Sequence, residues 1–283
     1  MSEFLVIGGT GKTGKRVAAQ LSAQGATARV GTRTPGAPGG REIPVSFEWD
    51  DTAGYKAALD GVDGVFMVPP TFRVDYVPLV EAFLAAAKSV NGPRVVFLSA
   101  RGAVIGDHIP MRGAEQMLID SGLEYTILRP SWFNQNFSEY FLLDAVRDNN
   151  MIPVPTGEGR TPFVDLDDVA AVAVAALTLT GHAGKNYDVT GPDSLSFGDT
   201  ARILSDILDR DIAFIDLAPD AWKAAAIGAG MPADYAQLAT ELLGLVRSGG
   251  EDLVSGDVEE VLGRRPKSFP HWATSVAKVW QPA

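Results

Sequence analysis

The sequence predicts an α/β protein, in which a doubly wound parallel sheet is followed by a smaller, mostly helical C-terminal lobe. Three observations support this fold class. A glycine-rich loop separates a short apolar run from a helical pattern within residues 4–21, strand and helix patterns alternate as far as residue 130, and the pattern changes from residue 131 onward. Regular alternation of this kind is typical of parallel sheets with right-handed crossovers.

The first of these stretches, FLVIGGTGKTGKRVAAQL, predicts a strand, a phosphate-binding loop and a helix in that order. Gly8, Gly11 and Gly14 form a GxxGxxG pattern, which in a Rossmann fold allows a tight turn, a close approach to pyrophosphate and close packing of helix on strand. We expect the backbone N–H groups near Gly11 and Thr13 to face the phosphates at the helix N-terminus. The alternative is that these glycines only form a turn.

The residue after the second predicted strand, Ala26–Thr32, indicates which dinucleotide binds. In Rossmann folds an acidic residue near this point accepts hydrogen bonds from the ribose 2′-OH of NAD, whereas an arginine accommodates the 2′-phosphate of NADP. Arg33 stands there, and Lys12 in the loop lies close enough to assist. The sequence therefore predicts NADP, in practice NADPH, as the cofactor.

Composition and charge limit the remaining classes of function. The 283 residues are 46% hydrophobic and 21% charged and carry a net charge of −11, which disfavours nucleic acid and anionic membrane surfaces. Residues 1–41 nevertheless contain six basic residues and one acidic residue, as an anionic dinucleotide requires. The absence of cysteine excludes disulfides and thiolate metal sites, and we expect no metal. The chain begins with a predicted strand and has no apolar run of about 18 residues, so we expect a cytoplasmic protein that does not span a membrane.

Other candidate cofactor residues follow the predicted strands, because ligands of open parallel sheets lie beyond the carboxyl ends of the strands. Asp50 follows the third strand and is either a partner of the adenine amino group or a helix N-cap. Val68 and Pro69 end the fourth strand, and Ser99 ends the fifth. Pro130 closes the sixth.

The predicted domain boundary lies at residue 130. Residues 1–130 form the NADP-binding domain, to which the chain returns near residues 161–190, and residues 131–283 form the substrate lobe. The segment after the boundary interleaves aromatic and amide residues, so Trp132, Asn134 and Asn136 are candidate substrate contacts. Alternatively, the aromatic residues belong to the core.

The segments GGTGKTG, FMVPP, FLSARGA, GLEYTILRPSWFNQNF, PFVDLDDVA and YDVTGP, together with Arg33, resemble the NmrA-like branch of atypical short-chain dehydrogenases over nearly the whole chain. The reductase-like members, which include ergot-alkaloid iminium reductases, are the most similar, and quinone and isoflavone reductases are more distant. The resemblance implies a Rossmann domain that holds NADP, with a smaller substrate lobe. It assigns Gly8, Thr10, Gly11, Lys12, Thr13 and Gly14 to the phosphate loop and Arg33 to the 2′-phosphate. It also assigns Val68 and Pro69 to the adenosine side, and Ser99 and Pro130 to the nicotinamide side.

The sequence departs from typical short-chain dehydrogenases in one respect that concerns catalysis. None of its six tyrosines has a lysine four residues later, although the YxxxK pair normally protonates the alkoxide formed from a ketone. Ser99 remains without those partners, and His108 is the other weak candidate for a proton donor.

Two hypotheses follow from the missing pair. An NADPH-dependent reductase can act on a small, pre-activated apolar or aromatic substrate, of the iminium, quinone or aromatic polyketide type, without a strong acid. The alternative is a non-catalytic NADP(H) redox sensor of the NmrA type that acts through a protein partner. The sequence leaves open whether the chain forms a homodimer.

Overall fold

The computed structural model describes residues 2–104, 106 and 108–281. The strands, in chain order, are β1 (Glu3–Val6), β2 (Thr27–Thr32), β3 (Glu42–Ser46), β4 (Gly64–Met67), β5 (Arg94–Leu98), β6 (Tyr125–Pro130), β7 (Met151–Val154), β8 (Arg160–Thr161), β9 (Lys185–Val189), β10 (Leu195–Ser196) and β11 (Ala213–Asp216). The helices are α1 (Lys12–Ala23), α2 (Tyr55–Leu59), α3 (Val77–Ser89), α4 (Pro110–Asp120), α5 (Leu143–Asn149), α6 (Leu166–Thr178), α7 (Phe197–Leu208), α8 (Pro219–Gly228), α9 (Ala233–Arg247), α10 (Asp257–Leu262) and α11 (Phe269–Val276).

The main sheet has seven strands in the order β3-β2-β1-β4-β5-β6-β9, and the pairs formed among β1 to β6 are parallel. Strand β1 lies between β2 and β4, so the order of strands reverses there. In open α/β sheets this reversal marks the crevice in which ligands bind. The predicted α/β fold class is confirmed.

The chain divides into two compact units. The N-terminal unit comprises the chain up to Thr71, Asp75–Pro130 and Val169–Asp188, and the C-terminal unit comprises Phe72–Val74, Ser131–Asp168 and the chain from Val189 onward. Within the parts of the chain described here, no helix is both long enough and apolar enough to cross a bilayer.

The core of the N-terminal unit is formed by the apolar faces of the sheet and of α2, α3 and α4. An aromatic cluster lies within it near the end of β3. Phe47 stacks on Tyr55 with ring centroids 5.6 Å apart, and Trp49 and Phe83 contact both rings edge-on. The Tyr55 hydroxyl donates a hydrogen bond to the carbonyl of Trp49 at 2.5 Å. This cluster fixes the position of the residues that follow β3, at the carboxyl end of the strand, where ligands of open α/β sheets bind.

The C-terminal unit has its own core and two small sheets. Phe137, Phe163, Phe197 and Phe269 are almost fully buried and pack on one another. Strand β11 pairs with β7 in a parallel arrangement, and β10 pairs with β8 antiparallel. Strand β8 lies outside the main sheet, because Thr161 pairs with Leu195 in β10. β9 is the strand that joins the sheet after α6.

Helix α7 begins with a complete capping box. The Ser196 hydroxyl accepts a hydrogen bond from the Asp199 amide at 2.9 Å, and the Asp199 carboxylate accepts one from the Ser196 amide at 3.0 Å. The reciprocal pair satisfies two backbone donors that the first turn would otherwise leave exposed.

We predict that Ser196→Ala lowers the free energy of unfolding by about 1 kcal/mol, because the variant loses the side-chain acceptor of this cap. Urea titration followed by circular dichroism measures the change. Ser46→Ala, at an exposed serine in β3, is the matched control and should change stability by less than about 0.5 kcal/mol. Equal losses in both variants would contradict the role of the cap.

Candidate cofactor and active site

The loop between β1 and α1 has the geometry that a pyrophosphate requires. Gly8 has φ +67°, a conformation that only glycine adopts readily, and the Gly11 amide donates to the Gly8 carbonyl at 2.9 Å. Gly11 is the N-cap of α1. Among the residues described, no side chain caps this helix end and no acidic residue lies in its first turn. The end of α1 therefore offers backbone N–H groups and the positive end of the helix dipole to an anion.

The glycines of the loop have different roles. A Cβ on Gly14 would lie 2.2 Å from the carbonyl oxygen of Gly8, and a Cβ on Gly9 would lie 2.6 Å from Val30 Cγ1. These two positions permit α1 and β2 to pack against the loop. A Cβ on Gly11 would meet the Gly8 oxygen alone, at 3.1 Å, and Gly11 is otherwise open to solvent. Gly11 thus borders the space through which a phosphate would approach.

The other predicted loop residues differ in exposure. Thr10 is exposed, Lys12 is half-buried, and Thr13 is buried in the first turn of α1. The Lys12 carbonyl accepts a hydrogen bond from the Arg16 guanidinium at 2.7 Å. Thr10 and Lys12 are accessible to a ligand at the helix end.

Arg33 directly follows β2 and its side chain is 82% exposed. Its Nε atom lies 3.9 Å from a carboxylate oxygen of Glu48, which follows β3. An exposed ion pair at this distance contributes little, so a phosphate could replace Glu48 as the partner of the guanidinium. Sequence reasoning did not identify Glu48, which is an acidic neighbour of the predicted 2′-phosphate site.

The predicted adenosine-side residues lie at the ends of β3 and β4. Asp50 is exposed, and the N-cap of the short 3₁₀ helix Thr52–Gly54 is Asp51, whose carboxylate accepts from the Gly54 amide at 3.3 Å. The N-cap interpretation of Asp50 is therefore wrong by one residue. Val68 and Pro69 are half-buried, and the Val68 carbonyl accepts from Trp49 Nε1 at 3.2 Å. A Cβ on Gly8 would lie 3.4 Å from Val68 Cβ, so Val68 borders the glycine loop.

Ser99, at the end of β5, belongs to a buried polar network that sequence reasoning missed. Its hydroxyl donates to Glu115 Oε1 at 2.6 Å. Glu115, on α4, is fully buried and accepts two hydrogen bonds from Arg129 on β6, from Nε at 2.9 Å and from Nη2 at 2.6 Å. The hydrogen bonds that Arg129 donates to Glu115 raise the pKa of Arg129, so the guanidinium stays charged.

This network determines what Ser99 can do chemically. The single hydroxyl proton points to a carboxylate, so the remaining capacity of the oxygen is to accept a hydrogen bond. A carboxamide N–H₂ group would be a suitable donor. Ser99 can therefore accept a hydrogen bond from a ligand at the end of β5, while its own proton is engaged with Glu115.

The other two residues predicted near the nicotinamide lie in different surroundings. Pro130 is buried at the end of β6. His108 is exposed in the segment before α4, where residues 105 and 107 lie outside the described part of the chain. Exposure is what a solvated histidine would show.

The candidate substrate residues lie in the C-terminal unit after β6. Trp132 is half-buried and packs edge-on against Phe197 of the core, with centroids 6.5 Å apart. Asn134 and Asn136 are buried in a 3₁₀ turn. The side-chain amide of Asn134 has no hydrogen-bond partner at either polar atom among the described residues. A buried amide of this kind has the capacity to bind a polar group.

The acidic segment VDLDD is part of a structural network in the C-terminal unit. Buried Asp165 pairs with Lys267 Nζ at 2.6 Å, and buried Asp168 pairs with Arg264 Nη2 at 2.7 Å. Burial lowers the pKa of Lys267, but the hydrogen bond and charge of Asp165 outweigh this effect, so the pKa is raised overall. Asp168, Arg264 and Lys267 line an open cleft of about 460 Å³ that contains none of the predicted site residues. Each buried carboxylate has its counter-ion, as the interior requires.

Comparison with known proteins shows which family the chain belongs to. The family model described as NAD(P)H-binding matches residues 8–180, which is more than half of the chain. Festuclavine synthase I of Penicillium roqueforti is 33% identical over 292 residues, covering 98% of this chain and 99% of that protein. Agroclavine dehydrogenase of Claviceps fusiformis is 32% identical over 287 residues, covering 98% of each.

A solved structure of the NADPH-dependent quinone oxidoreductase QOR2 from Escherichia coli, complexed with NADPH, has the same fold. The TM-score is 0.81 at 22% identity, with 97% of this chain and 99% of that chain covered. The resemblance inferred from the sequence motifs is confirmed. The chain belongs to the NAD(P)H-binding family and is an oxidoreductase of that family.

Proposed function

We propose that this protein is an NADPH-dependent reductase that transfers hydride to a small, pre-activated apolar or aromatic substrate of the iminium, quinone or aromatic polyketide type. The observation that carries the proposal is the Ser99–Glu115–Arg129 network. It accompanies the absence of the YxxxK pair and leaves Ser99 as a hydrogen-bond acceptor. A site without a strong acid suits a substrate that needs little proton transfer.

The cofactor end of the proposal rests on the N-terminal unit. NADPH, when bound, supplies a hydride. The backbone around Gly8 and Gly11 and the N-terminus of α1 would hold the pyrophosphate, and Arg33 would hold the 2′-phosphate. Ser99 would accept a hydrogen bond from the nicotinamide carboxamide and so orient the ring.

The substrate end of the proposal draws on the chemistry of the relatives. Festuclavine synthase and agroclavine dehydrogenase are named after alkaloids, and QOR2 after quinones. A conjugated iminium or quinone is electrophilic before it binds. For this chain we propose Trp132, Asn134 and Asn136 as substrate contacts. The Asn134 amide, which has no partner among the residues that the structure describes, would form hydrogen bonds with a polar atom of the substrate.

The experiment that tests the proposal is NADPH oxidation by the purified protein with a panel of iminium, quinone and enone acceptors. The reductase should consume NADPH with at least one iminium or quinone. The redox-sensor alternative predicts binding of NADP(H) without turnover, and capture of a protein partner that differs between NADPH and NADP. That second result would overturn the reductase proposal.

We predict that Arg33→Ala weakens NADPH binding by roughly tenfold or more and leaves NADH binding unchanged, because the variant loses a charge-assisted contact to the 2′-phosphate. Glu48→Gln is the matched variant and should bind NADPH somewhat more tightly, because it removes a competing carboxylate 3.9 Å from the guanidinium. Fluorescence titration with both cofactors measures these constants. Equal losses for NADPH and NADH in Arg33→Ala would exclude the assignment.

We predict that Gly11→Val abolishes cofactor binding in a folded protein, because the branched side chain occupies the space beside the pyrophosphate while meeting only the Gly8 carbonyl. Gly14→Ala is the contrasting variant. Its methyl group would lie 2.2 Å from that carbonyl, so this variant should lose thermal stability as well as binding. A folded Gly11→Val protein with unaltered NADPH affinity would show that the loop does not hold the phosphates.

We predict that Ser99→Ala and His108→Ala each lower kcat with an iminium substrate by less than about tenfold, because general acid catalysis typically contributes 10² or more and is not needed. Glu115→Gln should instead destabilise the fold by about 3 kcal/mol, because it leaves the Arg129 charge without its buried partner. Steady-state kinetics and thermal denaturation separate the two effects. A hundredfold loss of kcat at Ser99 or His108, with NADPH affinity intact, would indicate a proton relay and a carbonyl substrate.

A further inference from the structure

The backbone at Phe72 adopts a conformation that a large side chain rarely takes. Phe72 has φ +59°, and the other non-glycine residues with positive φ in the described chain are Asn150 and Asp209. Those two lie at the C-caps of α5 and α7, where Asn and Asp adopt the left-handed region readily. Phe72 has no such helix end to explain it. Strained bulky residues of this kind concentrate at ligand-binding positions.

The strained backbone holds the Phe72 ring at the surface of the C-terminal unit and does not bury it. The ring is stacked with Tyr140 at a centroid distance of 6.3 Å and meets Tyr235 edge-on at 5.2 Å. Phe72 is 38% exposed and is the single aromatic residue among the exposed large hydrophobic side chains of the described chain. Strain that served packing alone would be expected to bury the ring.

The two tyrosines add polar groups to this aromatic surface. Burial raises the pKa of Tyr140 to about 12, with the neighbouring Tyr235 as a smaller cause, and burial also raises the pKa of Tyr235. Both phenols therefore stay protonated at neutral pH. The cluster combines flat apolar faces with hydroxyl groups and carries no charge of its own.

Phe72 lies only a few residues after the end of β4 in the chain. Phe72 follows Val68 by four residues, so their Cα atoms are at most about 14 Å apart even in extended chain. Val68 borders the glycine loop, as shown by its 3.4 Å separation from a Cβ built on Gly8. The aromatic cluster is thus connected to the predicted cofactor loop by a short stretch of chain.

We propose that Phe72, Tyr140 and Tyr235 form a stacking site for the planar, multi-ring aromatic part of the substrate. The proposal rests on the proposed reductase function and specifies its substrate class, since a multi-ring molecule can contact more of the three rings than a single small ring can. Aromatic rings prefer offset-stacked or edge-to-face contacts with one another, so each further ring of a substrate that reaches the cluster adds a favourable contact.

The test uses Phe72→Gly, because glycine removes the ring and also relieves the strained backbone. Asn150→Gly is the matched control, since it relieves a left-handed residue of the same unit without removing a ring. We expect Phe72→Gly to raise KM for 9,10-phenanthrenequinone by about tenfold, equal to about 1.4 kcal/mol, and KM for 1,4-benzoquinone by less than about threefold. Melting temperature, kcat and NADPH affinity should stay close to those of the wild type. Asn150→Gly should leave both KM values unchanged.

Three results would overturn the stacking site. One is equal KM changes for the two quinones, and another is a large loss of thermal stability with no change in KM. The third is a change of solution mass in Phe72→Gly at constant KM, which would make the cluster an interface between copies of the chain. If the wild type reduces neither quinone, the proposed reductase function fails separately. Binding of phenanthrenequinone, measured by fluorescence quenching in wild type and Phe72→Gly, then still tests the site.

Discussion

The close contact between α1 and the glycine loop is the constraint on which the candidate site depends. Gly14 brings the first turn of the helix against the Gly8 carbonyl, where any side chain would collide at 2.2 Å. Gly9 does the same for β2, which carries Arg33 at its end. The loop, α1 and β2 pack against one another without intervening side chains. This packing positions the helix dipole, the loop amides and Arg33 for a bound dinucleotide.

The second determinant is a buried charge. Glu115 lies inside the N-terminal unit with no exposed surface and is stabilised by a bidentate pair with Arg129. A buried carboxylate is costly without such a partner, and here it also receives the Ser99 hydroxyl proton. In the reductase that we propose, this network would orient the bound ligand, and the chain has no YxxxK pair to protonate an alkoxide. That combination is the reason for proposing a pre-activated substrate.

Local signals in the sequence predicted much of this arrangement. The strand, loop and helix from Phe4 to Leu21 and the position of Arg33 follow from patterns within about 30 residues, and the structure places them in that order. Glu115 was missed because it occurs in an ordinary amphipathic helix, α4. Its partner Arg129 lies 14 residues later in the chain, in strand β6. Asp50 and Asp51 are adjacent carboxylates, and sequence alone does not distinguish which of them caps the 3₁₀ helix. The pairing of the two-residue strand β8 with β10 has no local signal in the sequence, because its partner lies more than 30 residues later.

The transfer of hydride itself is the most direct measurement of the proposed function. NADPH labelled with deuterium at the transferred C4 position can be incubated with the protein and a conjugated iminium or quinone, and the product analysed by mass spectrometry and NMR. The reductase account predicts one deuterium in the iminium product for each NADPH consumed, on the carbon that received the hydride. With a quinone the transferred deuterium exchanges with water, so NADPH consumption is the readout there. For the iminium, whose new C–H bond does not exchange, a product without deuterium, or no product in the presence of bound NADPH, would contradict it.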